Sequence, residues 1–136
     1  MTMTIGDMVE KALERKGITL ENGEDEFIQG DIWIANLEKK AMGHEQGGRR
    51  PVVIISKTKW NKSSKTPICV ILSTSKKKSK NRYTVQIKRN REQNSSANAS
   101  QVYTLDAKRL LRKVDSISKS ELRQIKKILS ELTWVE

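Results

Sequence analysis

The stretch Gly47-Gly48-Arg49-Arg50-Pro51-Val52-Val53-Ile54-Ile55-Ser56 sets two glycines and two arginines directly against an apolar, β-branched run. The run from Pro51 to Ser56 reads as a buried strand, because Val and Ile suit a pleated, half-covered surface. Similar segments lie on either side of it. Asp31-Ile32-Trp33-Ile34-Ala35-Asn36 is a short strand before it, and Pro67-Ile68-Cys69-Val70-Ile71-Leu72-Ser73 is another apolar strand after it. Tyr83-Thr84-Val85-Gln86-Ile87 alternates like a strand with one wet face. Ser100 to Leu111 supplies one or two more, since Val102, Leu105, Leu110 and Leu111 need a core. The connections are a glycine-rich segment from Lys39 to Arg49, a basic polar one from Thr74 to Asn81, and an Asn-, Ser- and Gln-dominated loop over residues 90–100.

Helices bracket these strands. Ser118-Lys119-Ser120-Glu121 is a capping box, in which hydroxyl and carboxylate satisfy each other's backbone donors. Leu122, Ile125, Ile128, Leu129 and Leu132 follow as one apolar stripe. At the other end, Thr4 and Asp7 mark a helix start, Ile5, Met8, Val9, Ala12 and Leu13 recur at helical spacing, and Gly17 is a stop. Residues 18–29 are acidic and turn-rich, as a linker is. The expected architecture is mainly β with helices (α+β), a small barrel or strongly curled sheet. Residues 29–136 form its domain, and residues 1–28 a helical extension and linker.

Composition narrows the function. At 136 residues the chain is the size of one domain. No apolar run approaches the ~20 residues of a membrane span, and the N-terminus carries no signal-peptide stretch. A lone Cys69 excludes an internal disulfide or a Cys-rich zinc site and fits a cytoplasmic setting, while a lone His44 excludes a two-histidine metal site or ribonuclease pair. The net charge of +11 is unevenly spread: residues 49–91 carry 14 Lys and Arg and no acid, whereas residues 1–48 carry 5 basic and 10 acidic residues. A stretch that cannot neutralise itself projects a positive field and favours a polyanion such as nucleic acid. The alternative is a solvated basic surface.

Three places could carry chemistry. In Glu45-Gln46-Gly47-Gly48-Arg49-Arg50-Pro51 the glycines let backbone approach a ligand, and Arg50 stands at a strand mouth stiffened by Pro51. A guanidinium matches phosphate bidentately and suits developing transition-state charge; the alternative is a turn with surface arginines. Ser73-Thr74-Ser75 places hydroxyls at a strand end, able to orient a phosphate or to serve as turn residues. Histidine is the side chain whose unperturbed pKa lies near neutrality, and His44 lies beside the glycine-rich segment, although a loop histidine is ordinarily just exposed. Trp33, Trp60 and Tyr83 are candidates to stack on unpaired bases, with Trp33 equally suited to a core.

Gly30-Asp31-Ile32-Trp33-Ile34-Ala35-Asn36-Leu37 followed by Glu45-Gln46-Gly47-Gly48-Arg49-Arg50-Pro51-Val52-Val53-Ile54-Ile55-Ser56 resembles the opening of the MazF/PemK family of toxin ribonucleases. Ile71-Leu72-Ser73-Thr74-Ser75, Ser100 to Asp106 and the terminal helix fall where that family has its later elements, so the resemblance covers residues 29–134. It implies an SH3-like or CcdB-like barrel assembled as a homodimer and restrained by an acidic antitoxin. It also implies cofactor-free, metal-independent cleavage of single-stranded RNA to 2′,3′-cyclic phosphate and 5′-hydroxyl ends. In this picture Arg50 and Ser73 are catalytic, with Thr74, one position on, as well as His44 and Glu45, as further positioning candidates. Gln46, Gly47, Gly48, Arg49, Trp60, Lys76, Lys77, Lys78, Lys80 and Arg82 would hold the RNA. Three features depart from the family: His44 is no hallmark of it, Ser73 replaces the commoner threonine, and Asp106-Ala107-Lys108-Arg109 lacks the family's usual glutamine. The competing reading is a non-catalytic RNA-binding or CcdB-like, gyrase-targeting module on the same barrel.

Overall fold

The structure is a computed structural model that describes residues 26–37, 48–74, 81–89 and 95–136. The expected N-terminal helix lies outside these residues. The elements run β1 (Asp31–Leu37), β2 (Gly48–Ile54), α1 (Thr58–Ser64), β3 (Ile68–Thr74), β4 (Thr84–Ile87), β5 (Ser95–Thr104), a 3-10 turn (Ala107–Arg109), β6 (Leu110–Ser116) and α2 (Lys119–Thr133). Six antiparallel strands form one sheet in the order β4-β5-β3-β2-β1-β6.

Both faces of the sheet are apolar. One carries Ile32, Val53, Val70, Leu72, Val85, Ile87, Ala97 and Ala99, and α2 covers it with Ile125, helped by Leu122, Ile128 and Leu129. The other carries Trp33, Ala35, Val52, Ile54, Cys69, Ile71, Leu105 and Leu110, with Phe27 packed against them. The strict alternation of Val52, Val53 and Ile54 between the two clusters is the period-2 pleat made visible. Burial pushes the Cys69 thiol up to about 12, as expected for a thiolate that would have to form among apolar side chains.

Of the expected small barrel or strongly curled sheet, the structure is the curled sheet: it does not close. Register shifts in the β1–β6 and β3–β5 pairings bend the sheet as bulges do, but β4 and β6 remain its edges. Side chains fasten that seam instead. Arg89, just past β4, pairs with Asp115 of β6 at 3.4 Å. The Lys88 backbone N–H donates to Glu121 at the start of α2, at 2.8 Å. The capping box forms as expected, with Ser118 Oγ accepting from Glu121 N–H at 3.0 Å and Glu121 accepting from Ser118 N–H at 2.8 Å.

Four expectations need correction, the first being that Val102 and Leu111 need a core, since both are exposed. The segment 90–100 is not an exposed loop throughout: β5 begins at Ser95, and Ser95, Ser96, Ala97 and Ala99 are buried. Small side chains there let α2 close onto the sheet, so polarity in the sequence concealed a core strand. Leu132 leaves the apolar stripe of α2 and is exposed. The helix α1, between β2 and β3, was not signalled by any apolar period.

Its reason is Asn61, a polar residue only 1% exposed. Asn61 Nδ2 donates to the carbonyls of Phe27 at 2.7 Å and Ser56 at 3.1 Å, while Oδ1 accepts from the Ser56 hydroxyl. Ser56 Oγ in turn accepts from Ile68 N–H at 2.9 Å. One carboxamide thus ties the chain before β1, the end of β2 and the start of β3. Asn61→Ala should lower unfolding free energy by about 2–3 kcal/mol in urea melts, because it leaves two buried carbonyls unpaired. An unchanged midpoint would contradict this role.

Asp31 is also buried, 3.4 Å from Lys113 Nζ. Burial raises its pKa above the ordinary 3.8, and Lys113 pulls it partly back. The folded chain therefore holds this proton more tightly than the unfolded one, and stability falls as pH rises through the raised pKa. Asp31→Asn removes that titration. Its stability relative to wild type should be higher at about pH 7 than at about pH 3 in urea unfolding; a pH-independent difference would count against this account.

Candidate functional site

Arg50 is placed by β2 and Ser73 by β3. β2 pairs with β3 through Val52↔Ile71, Val53↔Val70 and Ile54↔Cys69. No pair forms beyond Val52, where Pro51 has no N–H to offer a ladder. Carried two residues further, the register sets Arg50 facing Ser73. Both lie on the face of Val52 and Ile71, since side chains two apart in a strand share a face. Arg50 is held from its other side by pairing with Ala35 of β1. It is exposed, and Ser73 is half-buried.

Gly48 opens β2 at a φ of +81°, a left-handed conformation that a side chain would strain. It pairs with Leu37, so the segment 38–47 leaves and returns beside Arg49 and Arg50. Gly30, at φ +93°, fixes the other end of β1. Its N–H donates to Ile54 O at 2.7 Å, and its carbonyl accepts from Ile117 N–H at 2.8 Å. Together the two glycines set where β1 and β2 begin relative to each other, and hence where Arg50 stands.

Among the described residues neither Arg49 nor Arg50 is ion-paired, while Asp31 and Asp115 are committed to Lys113 and Arg89. A free guanidinium facing a hydroxyl can clasp a phosphodiester: two N–H groups on non-bridging oxygens, one O–H on a third acceptor. No three His, Cys, Asp or Glu side chains gather to hold a metal among the described residues.

The other expected residues separate into groups. His44, Glu45, Gln46, Gly47, Lys76, Lys77, Lys78 and Lys80 lie outside the described residues. Thr74 is described in its backbone as the last residue of β3, paired with Ser95. Arg49 is exposed one position from Arg50. Arg82 lies over the Tyr83 ring, 5.0 Å from its centroid, several residues from the row of Ser73.

Two aromatic candidates are not at this site. Trp33 is 2% exposed and packs on Phe27 with ring centroids 4.9 Å apart, so it is core. Trp60 is exposed on α1, but α1 joins the end of β2 to the start of β3, the opposite end of that strand pair from Arg50 and Ser73. A cleft of about 650 Å³ opens at the seam between Lys88, Asp115, Ser116 and Glu121. Neither Arg50 nor Ser73 lines it, and its carboxylates suit a phosphate poorly.

A curled six-stranded antiparallel sheet with one covering helix defines a small α+β protein. The comparisons then give the family. Residues 28–133 match the family described as the PemK-like, MazF-like toxin of type II toxin–antitoxin systems. An endoribonuclease MazF of Staphylococcus epidermidis is 35% identical over 100 residues, covering 71% of this chain and 82% of that protein. MazF of Deinococcus radiodurans superposes with a TM-score of 0.69 at 21% identity, over 79% of this chain and 96% of that one. A mycobacterial endoribonuclease solved with its cognate antitoxin gives 0.61 at 17% identity, over 80% and 97%. This chain belongs to the PemK/MazF toxin family.

Proposed function

We propose that this toxin is a sequence-specific, metal-independent endoribonuclease that cuts single-stranded RNA by attack of a ribose 2′-hydroxyl on the adjacent phosphate. As a PemK/MazF-family member the chain is an endoribonuclease, and the observation that supports this chemistry is the β2–β3 register, which, carried two residues past Val52↔Ile71, sets Arg50 opposite Ser73. In the reaction the 2′-oxygen loses its proton and bonds to phosphorus, the bond from phosphorus to the 5′-oxygen breaks, and that oxygen takes up a proton. The products are a 2′,3′-cyclic phosphate and a 5′-hydroxyl. Arg50 stabilises the charge that builds on the non-bridging oxygens, and Ser73 holds the phosphate in line. Because a guanidinium stays protonated, Arg50 acts by charge and hydrogen bonding rather than as a base.

The toxin works as a homodimer in the cytoplasm, with an acidic antitoxin as its restraining partner. Leu111 and Val114, exposed on edge strand β6, are apolar surface available to a second copy. The acid-free stretch 49–91 supplies the field that draws both RNA and a negatively charged antitoxin. The mycobacterial relative solved with its cognate antitoxin supports that pairing. No helix among the described residues is long and apolar enough to cross a membrane. Lys76, Lys77, Lys78, Lys80 and Arg82 grip the RNA backbone.

Purified toxin, freed of antitoxin, is incubated with a long single-stranded RNA with and without EDTA, and new ends are mapped. Discrete EDTA-resistant cuts bearing 5′-hydroxyls are expected. Arg50→Ala should lower cleavage by about 100-fold or more, as the loss of one oxyanion donor does, while RNA affinity changes only severalfold. Ser73→Ala should lose more activity than Thr74→Ala, and Ser73→Thr should retain most of it. Intact RNA from folded, RNA-binding wild-type protein would favour the non-catalytic binding module.

A further inference from the structure

We propose that the site continues past Ser73 along the same row of the sheet, and that Gln86, seated on Ser96, reads a nucleobase close to the cleaved linkage. The inference rests on the ribonuclease reading above. Ser73 pairs with Ser96 across β3 and β5, and Ser96 pairs with Gln86 across β5 and β4. Directly opposed residues of antiparallel strands share a face, so Arg50, Ser73, Ser96 and Gln86 form one polar row crossing four strands. On the same face, the row two residues along β2 and β3 is apolar, with Val52 facing Ile71.

The row is built, not incidental. Gln86 Nε2 donates to Ser96 Oγ at 3.1 Å. Ser96 is buried and Gln86 is exposed, so a buried hydroxyl anchors a side chain that ends in solvent. With one N–H committed, the carboxamide still presents Oε1 as an acceptor and its second N–H as a donor. That is the complement of a base edge, where donor and acceptor stand side by side, and Gln reads bases in this way. Phosphate is the poorer ligand here. The amide carries no charge, and Gln86 borders the seam cleft whose further wall holds the Asp115 and Glu121 carboxylates. Neighbouring strands stand about 4.8 Å apart, which puts Gln86 roughly 10 Å from Ser73. A base about one or two nucleotides from the scissile phosphate reaches that point.

The test compares cleavage motifs. Wild type, Gln86→Ala, Gln86→Glu and Ser96→Ala cut a long RNA of mixed sequence, and all 5′-hydroxyl ends are sequenced. Gln124→Ala is the control: its amide also sits near a serine, Ser120, and lines the same seam cleft from α2, so it separates the strand amide from the cleft in general. In Gln86→Ala the preference at one motif position should fall by about 10-fold, the discrimination one amide–base contact provides, with the other positions unchanged. Gln86→Glu, which keeps the acceptor and loses the donor, should alter the same position. Ser96→Ala should weaken that position less, and Gln124→Ala should leave the motif intact. A motif unchanged in Gln86→Ala overturns the inference, as does a uniform loss of cutting at every site. If wild type makes no cuts at all, it is the ribonuclease reading that fails.

Discussion

The candidate site of this protein depends on the antiparallel register in which Val52 meets Ile71. A strand's side chains alternate, so a slip of one residue would send Arg50 to the face covered by α2 and leave Ser73 without a partner across the gap. The register is strongly specified because both faces are buried. Val52 and Ile54 belong to one apolar cluster, and Val53 belongs to the other. A one-residue slip would exchange the two clusters. The positioning of a charged group at the surface is therefore enforced by the packing of uncharged ones beneath it, and Pro51 marks where packing gives way to the open strand mouth.

That constraint also explains how much could be read before the fold was known. The apolar runs at 32–35, 52–55 and 68–72 announce strands because they are unbroken and rich in β-branched residues, and the capping box at Ser118 announces α2. Arg50 and Ser73 stood out because each follows or precedes such a run. Local pattern does not report burial that relies on smallness or on hydrogen bonding. Ser95, Ser96, Ala97 and Ala99 look like loop composition, yet all four are buried, with Ala97 and Ala99 in the cluster that α2 covers. Asn61 sits within Lys59-Trp60-Asn61-Lys62, which reads as surface, yet its carboxamide is the node of three segments. The row from Arg50 to Gln86 was illegible for a different reason. It exists only through pairing across β3 and β5, where β5 skips register between Val70 and Leu72.

Charge and structure are divided along the chain in a corresponding way. The carboxylates of the described residues are largely spent on the fold itself: Asp31 on Lys113, Asp115 on Arg89, Glu121 on the α2 cap and on Lys88, and Asp106 on the 3-10 turn. None of these is spent on Arg49 or Arg50. Acids that are internally committed do not compete for a polyanion, so the positive field survives folding.

The seam between β4 and β6 has a mechanical meaning. A fully hydrogen-bonded barrel has a circumference set by its ladders, and widening it breaks backbone bonds in series. Here one junction is an ion pair and a carboxylate on a backbone N–H, contacts that stretch or let in water without unpairing any strand. The sheet is thus an open ring with a clasp, continuous in backbone pairing from β3 through β2 and β1 to β6 and joined at β4–β6 through side chains. Widening at that junction costs side-chain contacts rather than strand pairs, and because both members of its ion pair are largely buried, added salt loosens the clasp little.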